Sequence, residues 1–239
     1  MENFVIGIEG LVGAGKTSMC RELIKRIPNT ILVQGGNIYR SIVGMIIKNG
    51  EKLQDLKANS KNLDMKEMMD ALNIDLRVEN NETVMYCNNE KIDEEYIQSK
   101  EISLAVSSVG GRANEIALFE YARGVIDNLK KDHNVIFSGR GTLTIYPDCD
   151  YHIFITADLE ERVKRKAAQY NDKSLDEVRE NIVKRDELQK EVGYYDITDK
   201  TIVIDVTDCK TVEEGADKIL KVLNIPAEVW RGRFYGFCK

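Results

Sequence analysis

Val5-Ile6-Gly7-Ile8-Glu9-Gly10-Leu11-Val12-Gly13-Ala14-Gly15-Lys16-Thr17 is the stretch whose reading decides the fold. Asn3 to Glu9 is a short apolar run of the kind that forms a buried parallel strand. Lys16 to Ile27 carries Met19, Leu23 and Ile27 at helical spacing, and Pro28 ends it. Between them lies Gly10-x4-Gly15-Lys16-Thr17, a pattern that has meaning only with a strand before it and a helix after it. Its glycines let the backbone curl until several N–H groups point inward, and the helix N-terminus adds positive potential. Lys16 is therefore expected to reach the β- and γ-phosphates of bound ATP, and the Thr17 hydroxyl to ligate Mg²⁺. Gly10, Gly13, Ala14, Gly15, Lys16, Thr17 and Ser18 form the expected phosphate cradle. A ligand-free Gly-rich turn would account for the glycines but not for Lys-Thr at that place.

Working outward, Thr30 to Val33, Asn134 to Ser138, His152 to Thr156 and Thr201 to Val206 are further apolar runs of strand length. Helical patterns separate them. Asp158 to Gln169, Ser174 to Glu191 and Thr211 to Leu223 each open with an Asp, Ser or Thr followed three residues later by Glu, the pattern of a capping box. Asn37 to Lys48, Asp64 to Leu72, Ser99 to Ser108 and Ala113 to Lys131 also read as helices. Five apolar strands alternating with helices give a three-layer α/β fold around a five-stranded parallel sheet. Ile74 to Glu79 and Thr83 to Cys87 flank Asn80-Asn81-Glu82 and read as a β-hairpin, which interrupts the βα rhythm and marks an insertion.

Composition narrows the functional classes. A formal charge of −6 in 239 residues disfavours a nucleic-acid binder, which needs a basic face. The five cysteines lack metal-ligand spacing and suit reduced thiols in a cytoplasmic protein. His133 and His152 lie beside strands and read as packing residues. The N-terminus does not resemble a signal peptide, and no run is long enough to span a membrane. A monomer is the default expectation. No Asn-Lys-x-Asp motif is present to read guanine, and no strand ends in the acidic pair of a motor ATPase. A small kinase is the class that remains.

Four blocks carry a resemblance to the cytidylate kinase family. They are the Gly13-Ala14-Gly15-Lys16-Thr17 loop, Gly36-Asn37-Ile38-Tyr39-Arg40, Gly139-Arg140 with Tyr146-Pro147-Asp148, and Phe154-Ile155-Thr156-Ala157 running into Glu160-Glu161-Arg162. The resemblance implies a P-loop NTPase fold in one kinase domain over residues 1–239. It also implies an acceptor-binding insertion near 37–108 that contains the hairpin, and a helical lid near 160–192. It gives Lys16, Arg140, Arg162, Arg165 and Arg185 as catalytic groups, the last three as lid arginines. Gly36, Tyr39, Arg40 and Arg140 would bind the acceptor's phosphate. ATP and Mg²⁺ are the implied cofactors, and CMP or dCMP the implied acceptor. Guanidinium groups suit phosphoryl transfer because they bind phosphate bidentately and stay charged.

The departures fall on the acceptor side. The family's Asp-Gly-Arg-Asp is Ser138-Gly139-Arg140-Gly141 here. A later Asp and Arg correspond to Gln189 and Val192, and the pyrimidine-reading Ser and Arg to Asp93 and Ile97. Gln34 replaces an Asp. Glu9, at the end of the first strand, is a candidate to replace the missing Mg²⁺-organising acid. A kinase for a deoxynucleoside or a non-nucleotide metabolite, and a non-catalytic ATP-binding regulator, are the alternative readings. The aromatic and basic tail Trp230 to Phe237 is expected to pack on its own domain.

Overall fold

The computed structural model describes residues 2–49, 69–99, 101–102, 112–168, 174–191, 193–195 and 197–223. Val192, the tail beyond 223 and most of the expected helices over 64–72 and 99–108 lie outside the described residues. The chain divides into two compact units, one of Met1–Leu32 with His133–Lys239 and the other of Val33–Asp132.

In the first unit the strands β1 (Val5–Gly10), β6 (Asn134–Ser138), β7 (Tyr151–Thr156) and β8 (Thr201–Asp205) are joined by the first residues of β2 (Thr30–Gln34). Their order is β2-β6-β1-β7-β8. β1 pairs in parallel with β6 and with β7, in register Ile6↔Ile136 and Ile6↔Tyr151, and β7 pairs in parallel with β8. Val5, Ile6 and Ile8 are fully buried, as a central strand covered on both faces requires. Helices α1 (Lys16–Arg26) and α8 (Val212–Val222) pack against each other over a core that includes Ile6, Ile8, Leu23, Ile136, Ile155 and Ile219. A Cβ on Gly215 would lie 2.5 Å from Met19 Sδ, so glycine sets how closely these two helices approach. Two more helices, α6 (Leu159–Ala167) and α7 (Leu175–Glu191), enclose a small separate core of Val163, Val178 and Ile182.

The capping boxes turn out unequal. Ser174 and Glu177 make the full reciprocal pair. Thr211 accepts from Glu214 N–H, while Glu214 reaches back to Lys210 N–H. Asp158 makes no side-chain cap; its own N–H donates to Thr207 Oγ1 at 2.9 Å, and Glu161 pairs with Arg165 at 3.0 Å.

The second unit holds α2 (Gly35–Lys48), the antiparallel strands β3 (Ile74–Glu79), β4 (Glu82–Cys87) and β5 (Glu90–Lys91), and helices α3 (Glu94–Gln98) and α4 (Arg112–Lys130). β5 and α3 are too short to show a periodicity in the sequence. Asn80-Asn81 and Asn88-Asn89 connect the three strands, all four at positive φ between 48° and 65°. Positive φ at both central residues is the demand of a type I′ hairpin turn, and Asn tolerates it. Tyr96 of α3 donates to Gly44 O at 2.9 Å and docks α3 on α2. Asn81→Val places a β-branched residue at φ 65°. It is expected to cost about 1–2 kcal/mol in urea denaturation, and an unchanged midpoint would contradict the turn assignment.

Candidate active site

β1 ends buried between two strands and delivers the loop 10–15 to the carboxyl edge of the sheet, where ligands of such folds bind. A Cβ on Gly10 would sit 2.5 Å from Ile155 O, so no side chain fits there. Leu11 N–H donates to the same carbonyl at 3.0 Å. Gly13 and Gly15 have φ of 82° and 88°, and Gly15 is the N-cap of α1. That helix begins with no side-chain cap and no acidic residue in its first turn. The positive end of its dipole thus points at the loop with no acidic side chain to offset it, as an anion site requires. Ala14 is buried, Lys16 and Thr17 open the helix, and the Thr17 and Ser18 side chains are exposed.

Arg140 follows β6, which Gly139 N–H ties to Ile8 O at 3.3 Å. The Arg140 guanidinium reaches solvent yet lies in a well of surrounding protein. Burial lowers its pKa, the charge of Arg185 lowers it further, and Tyr195 and Tyr194 act in the opposite sense. Neither Arg140 nor Arg185 has a hydrogen bond or ion pair with any described residue. Two guanidiniums of this kind are chemically suited to hold an anion.

Arg162 and Arg165, expected as lid arginines, are engaged by protein groups in this structure. Arg162 is buried. Its Nε donates to Ala157 O at 2.9 Å, and its Nη1 to Val12 O at 3.1 Å and to Asp186 Oδ2 at 2.5 Å. Arg165 donates Nε–H to Glu161, and its Nη2 lies within 2.8–3.3 Å of the carbonyls of Val206, Thr207 and Cys209. The first residue fastens the phosphate loop, and the second builds the loop after β8.

Glu9, expected to organise a metal ion, is held by protein groups in this structure. It is 4% exposed. Its Oε1 accepts from Thr142 N–H at 2.6 Å and from the Thr142 hydroxyl at 2.8 Å, with His152 Nε2 at 3.4 Å. Thr142 opens the short helix α5 (Thr142–Ile145), which directly follows Arg140-Gly141. The His152 Nδ1 in turn meets Thr201 Oγ1 at 2.9 Å. Glu9 therefore fixes the loop that carries Arg140. No cluster of three or more His, Cys, Asp or Glu that would hold a metal ion exists among the described residues. The exposed Thr17 hydroxyl beside Lys16 does fit a Mg²⁺ ion that draws its other ligands from phosphate oxygens and water.

The rewritten positions acquire structural explanations. Gly141 has φ 61° and its Cβ position lies 3.5 Å from the Tyr194 ring, so an Asp there would be strained. Gln189 is buried and accepts from the Tyr195 hydroxyl at 2.7 Å. Ser138 is buried at the end of β6. In the second unit Asp93 caps α3 and Ile97 is buried. Gln34 bonds Thr83 and Glu82. Arg40 folds back toward Gly36, where a Cβ would lie 3.1 Å from its Nη1, and Tyr39 is half-buried on the same turn of α2. Sequence reasoning missed Thr142, Asp186 and the Tyr194-Tyr195 pair. Asp186 beside Arg185 and the Gly193-Tyr194-Tyr195 turn were the available signals.

Glu9→Ala removes the acceptor of two buried donors. Chemical denaturation is expected to show a loss of about 2–4 kcal/mol, and a loss below about 0.5 kcal/mol would show that the Thr142 contacts carry no weight.

The family model described as cytidylate kinase matches residues 6–225. A cytidylate kinase of Clostridioides difficile is 28% identical over 233 residues, covering 94% of this chain and 100% of that one. One of Alkaliphilus metalliredigens is 29% identical over 230 residues, covering 92% and 96%. The loop on β1, the arginines beside it and a match along nearly the whole chain lead to one conclusion: this protein is a kinase that belongs to the cytidylate kinase family.

Proposed function

We propose that the protein transfers the γ-phosphoryl group of ATP to CMP or dCMP. The observation that carries this reading is the pair Arg140 and Arg185, in the unit that bears the phosphate loop, which have no ion pair among the described residues while the charge of Arg185 acts on Arg140. Like charges without counter-ions are unfavourable unless an anion completes them, and a phosphoryl group in transfer is such an anion. Lys16 neutralises the β- and γ-phosphates, and the N–H groups at the start of α1 cradle them. Thr17 holds Mg²⁺, which when bound withdraws charge from the phosphate oxygens. Arg40, with Gly36 and Tyr39, is the acceptor-phosphate group of the second unit. Residues 37–108 serve as the acceptor-binding insertion, and α6 with α7 as the lid. Cys20, Cys87, Cys149 and Cys209 form no disulfide, which fits a cytoplasmic setting. No helix among the described residues is long and apolar enough to cross a membrane.

The test is ADP formation from Mg-ATP with a panel of nucleoside monophosphates, nucleosides and small alcohols. CMP or dCMP is expected to be turned over best. A charge-assisted phosphate contact contributes about 1.5–3 kcal/mol. Arg140→Ala should therefore lower kcat/KM for CMP roughly 10- to 100-fold, with the affinity for ATP nearly unchanged. Preferred turnover of a nucleoside or small alcohol would overturn the acceptor. ATP binding with no turnover at all would replace the kinase with a regulator.

A further inference from the structure

The outer face of the phosphate loop is held through one peptide unit. Val12 N–H donates to Asp186 Oδ1 at 3.2 Å, and Val12 O accepts from Arg162 Nη1 at 3.1 Å. Arg162 and Asp186 are themselves ion-paired at 2.5 Å. The Val12 side chain packs into the small core of Val163, Val178 and Ile182, so an apolar contact and a polar one fix the same residue. Gly13 leaves no slack either. Its φ is 82°, and a Cβ there would lie 3.1 Å from Arg162 O. The Tyr195 hydroxyl, shared between Asp186 Oδ1 at 2.9 Å and Gln189 Oε1 at 2.7 Å, braces the carboxylate from the far side. Phe154 of β7 stacks edge-on against the Tyr195 ring at 5.4 Å.

Asp186 thus joins four parts of the chain: the phosphate loop, α6, α7 and the turn 193–195. Its neighbour on α7 is Arg185, a guanidinium with no ion pair among the described residues, whose charge acts on Arg140. We infer that Asp186 is a positioning residue. It anchors α7 to the back of the phosphate loop and so sets where Arg185 stands relative to the phosphoryl group held at the front. The physical reason is leverage. A small displacement of a charged group from its productive position costs orders of magnitude in rate, whereas binding of the donor depends on contacts that the loop makes for itself. The inference deepens the phosphotransfer reading and rests on it.

Double-variant kinetics separate aiming from mere support. Asp186→Asn keeps the shape and an acceptor for Val12 but removes the charge that holds Arg162. It is expected to lower kcat at least 10-fold while the dissociation constant of Mg-ATP changes less than 3-fold. If Asp186 acts by aiming Arg185, Asp186→Asn in an Arg185→Ala background should cost less than a further 3-fold. Independent, multiplying losses in the double variant would overturn the inference, as would a kcat for Asp186→Asn within 3-fold of the parent. Tyr195→Phe removes one hydroxyl only, and a smaller loss in the same direction is expected even if Asp186→Asn folds poorly. Hydrogen exchange at the Val12 amide, without substrate, reads the anchor itself. It should be slow in the parent and accelerated in both variants, and equal rates would remove the anchor whatever the acceptor. A slow Val12 amide in a protein that leaves CMP unphosphorylated would instead count against the function, with the kinetic comparison then made on the acceptor that does support ADP formation.

Discussion

On the proposed reading, two positive charges without a counter-ion among the described residues, Arg140 and Arg185, are the constraint around which the site is organised. Arg140 stands on the loop after β6 and Arg185 on α7, and burial depresses the pKa of Arg140 with Arg185 adding to it. Such an arrangement lowers the stability of the empty protein, and the surrounding structure has to hold it open. Catalytic sites commonly carry this kind of cost, because the same field stabilises an anion when one arrives.

The support comes from polar groups that have no direct part in the chemistry. On one side, Glu9 takes both donors of Thr142 and thereby fixes the residue two places after Arg140. On the other, Asp186 takes Val12 N–H and Arg162 and thereby fixes the residue one place after Arg185. Each carboxylate holds a residue close in sequence to one of these arginines without pairing with the arginine itself. This division leaves both guanidiniums without an ion pair among the described residues while the segments that bear them are tied down. The parallel sheet makes it possible. β1, fully buried, carries Glu9 and the phosphate loop in one continuous run, with β6 and β7 alongside as rigid references.

Much of this was legible before any coordinates. The loop 10–17 had its strand and helix in the expected places, and the five strands and the Asn80-Asn81 hairpin lie within a residue or two of their sequence readings. Arg140 was singled out for the acceptor's phosphate and Arg185 as a lid arginine, and neither has an ion pair among the described residues. Arg162 and Arg165 were chosen by the same logic, and sequence could not show that carbonyl oxygens and Asp186 already occupied them. The burial of Glu9 was hidden for a similar reason. Its partners Thr142 and His152 are 133 and 143 residues away, and neither long-range pair leaves a local pattern. Tyr194 and Tyr195 explain why Gly141 and Gln189 differ from the family pattern, but only once their contacts are known.

The most direct test of the central claim is a comparison of thermal unfolding for the parent protein and Arg140→Ala, each with and without inorganic pyrophosphate. Removing one of two repelling charges should leave the ligand-free variant at least as stable as the parent. The stabilisation by pyrophosphate, which grows with ligand concentration over the dissociation constant, should shrink markedly. A variant that is less stable when empty and equally stabilised by pyrophosphate would contradict the account, since Arg140 would then be a structural residue and not half of a phosphate receptor.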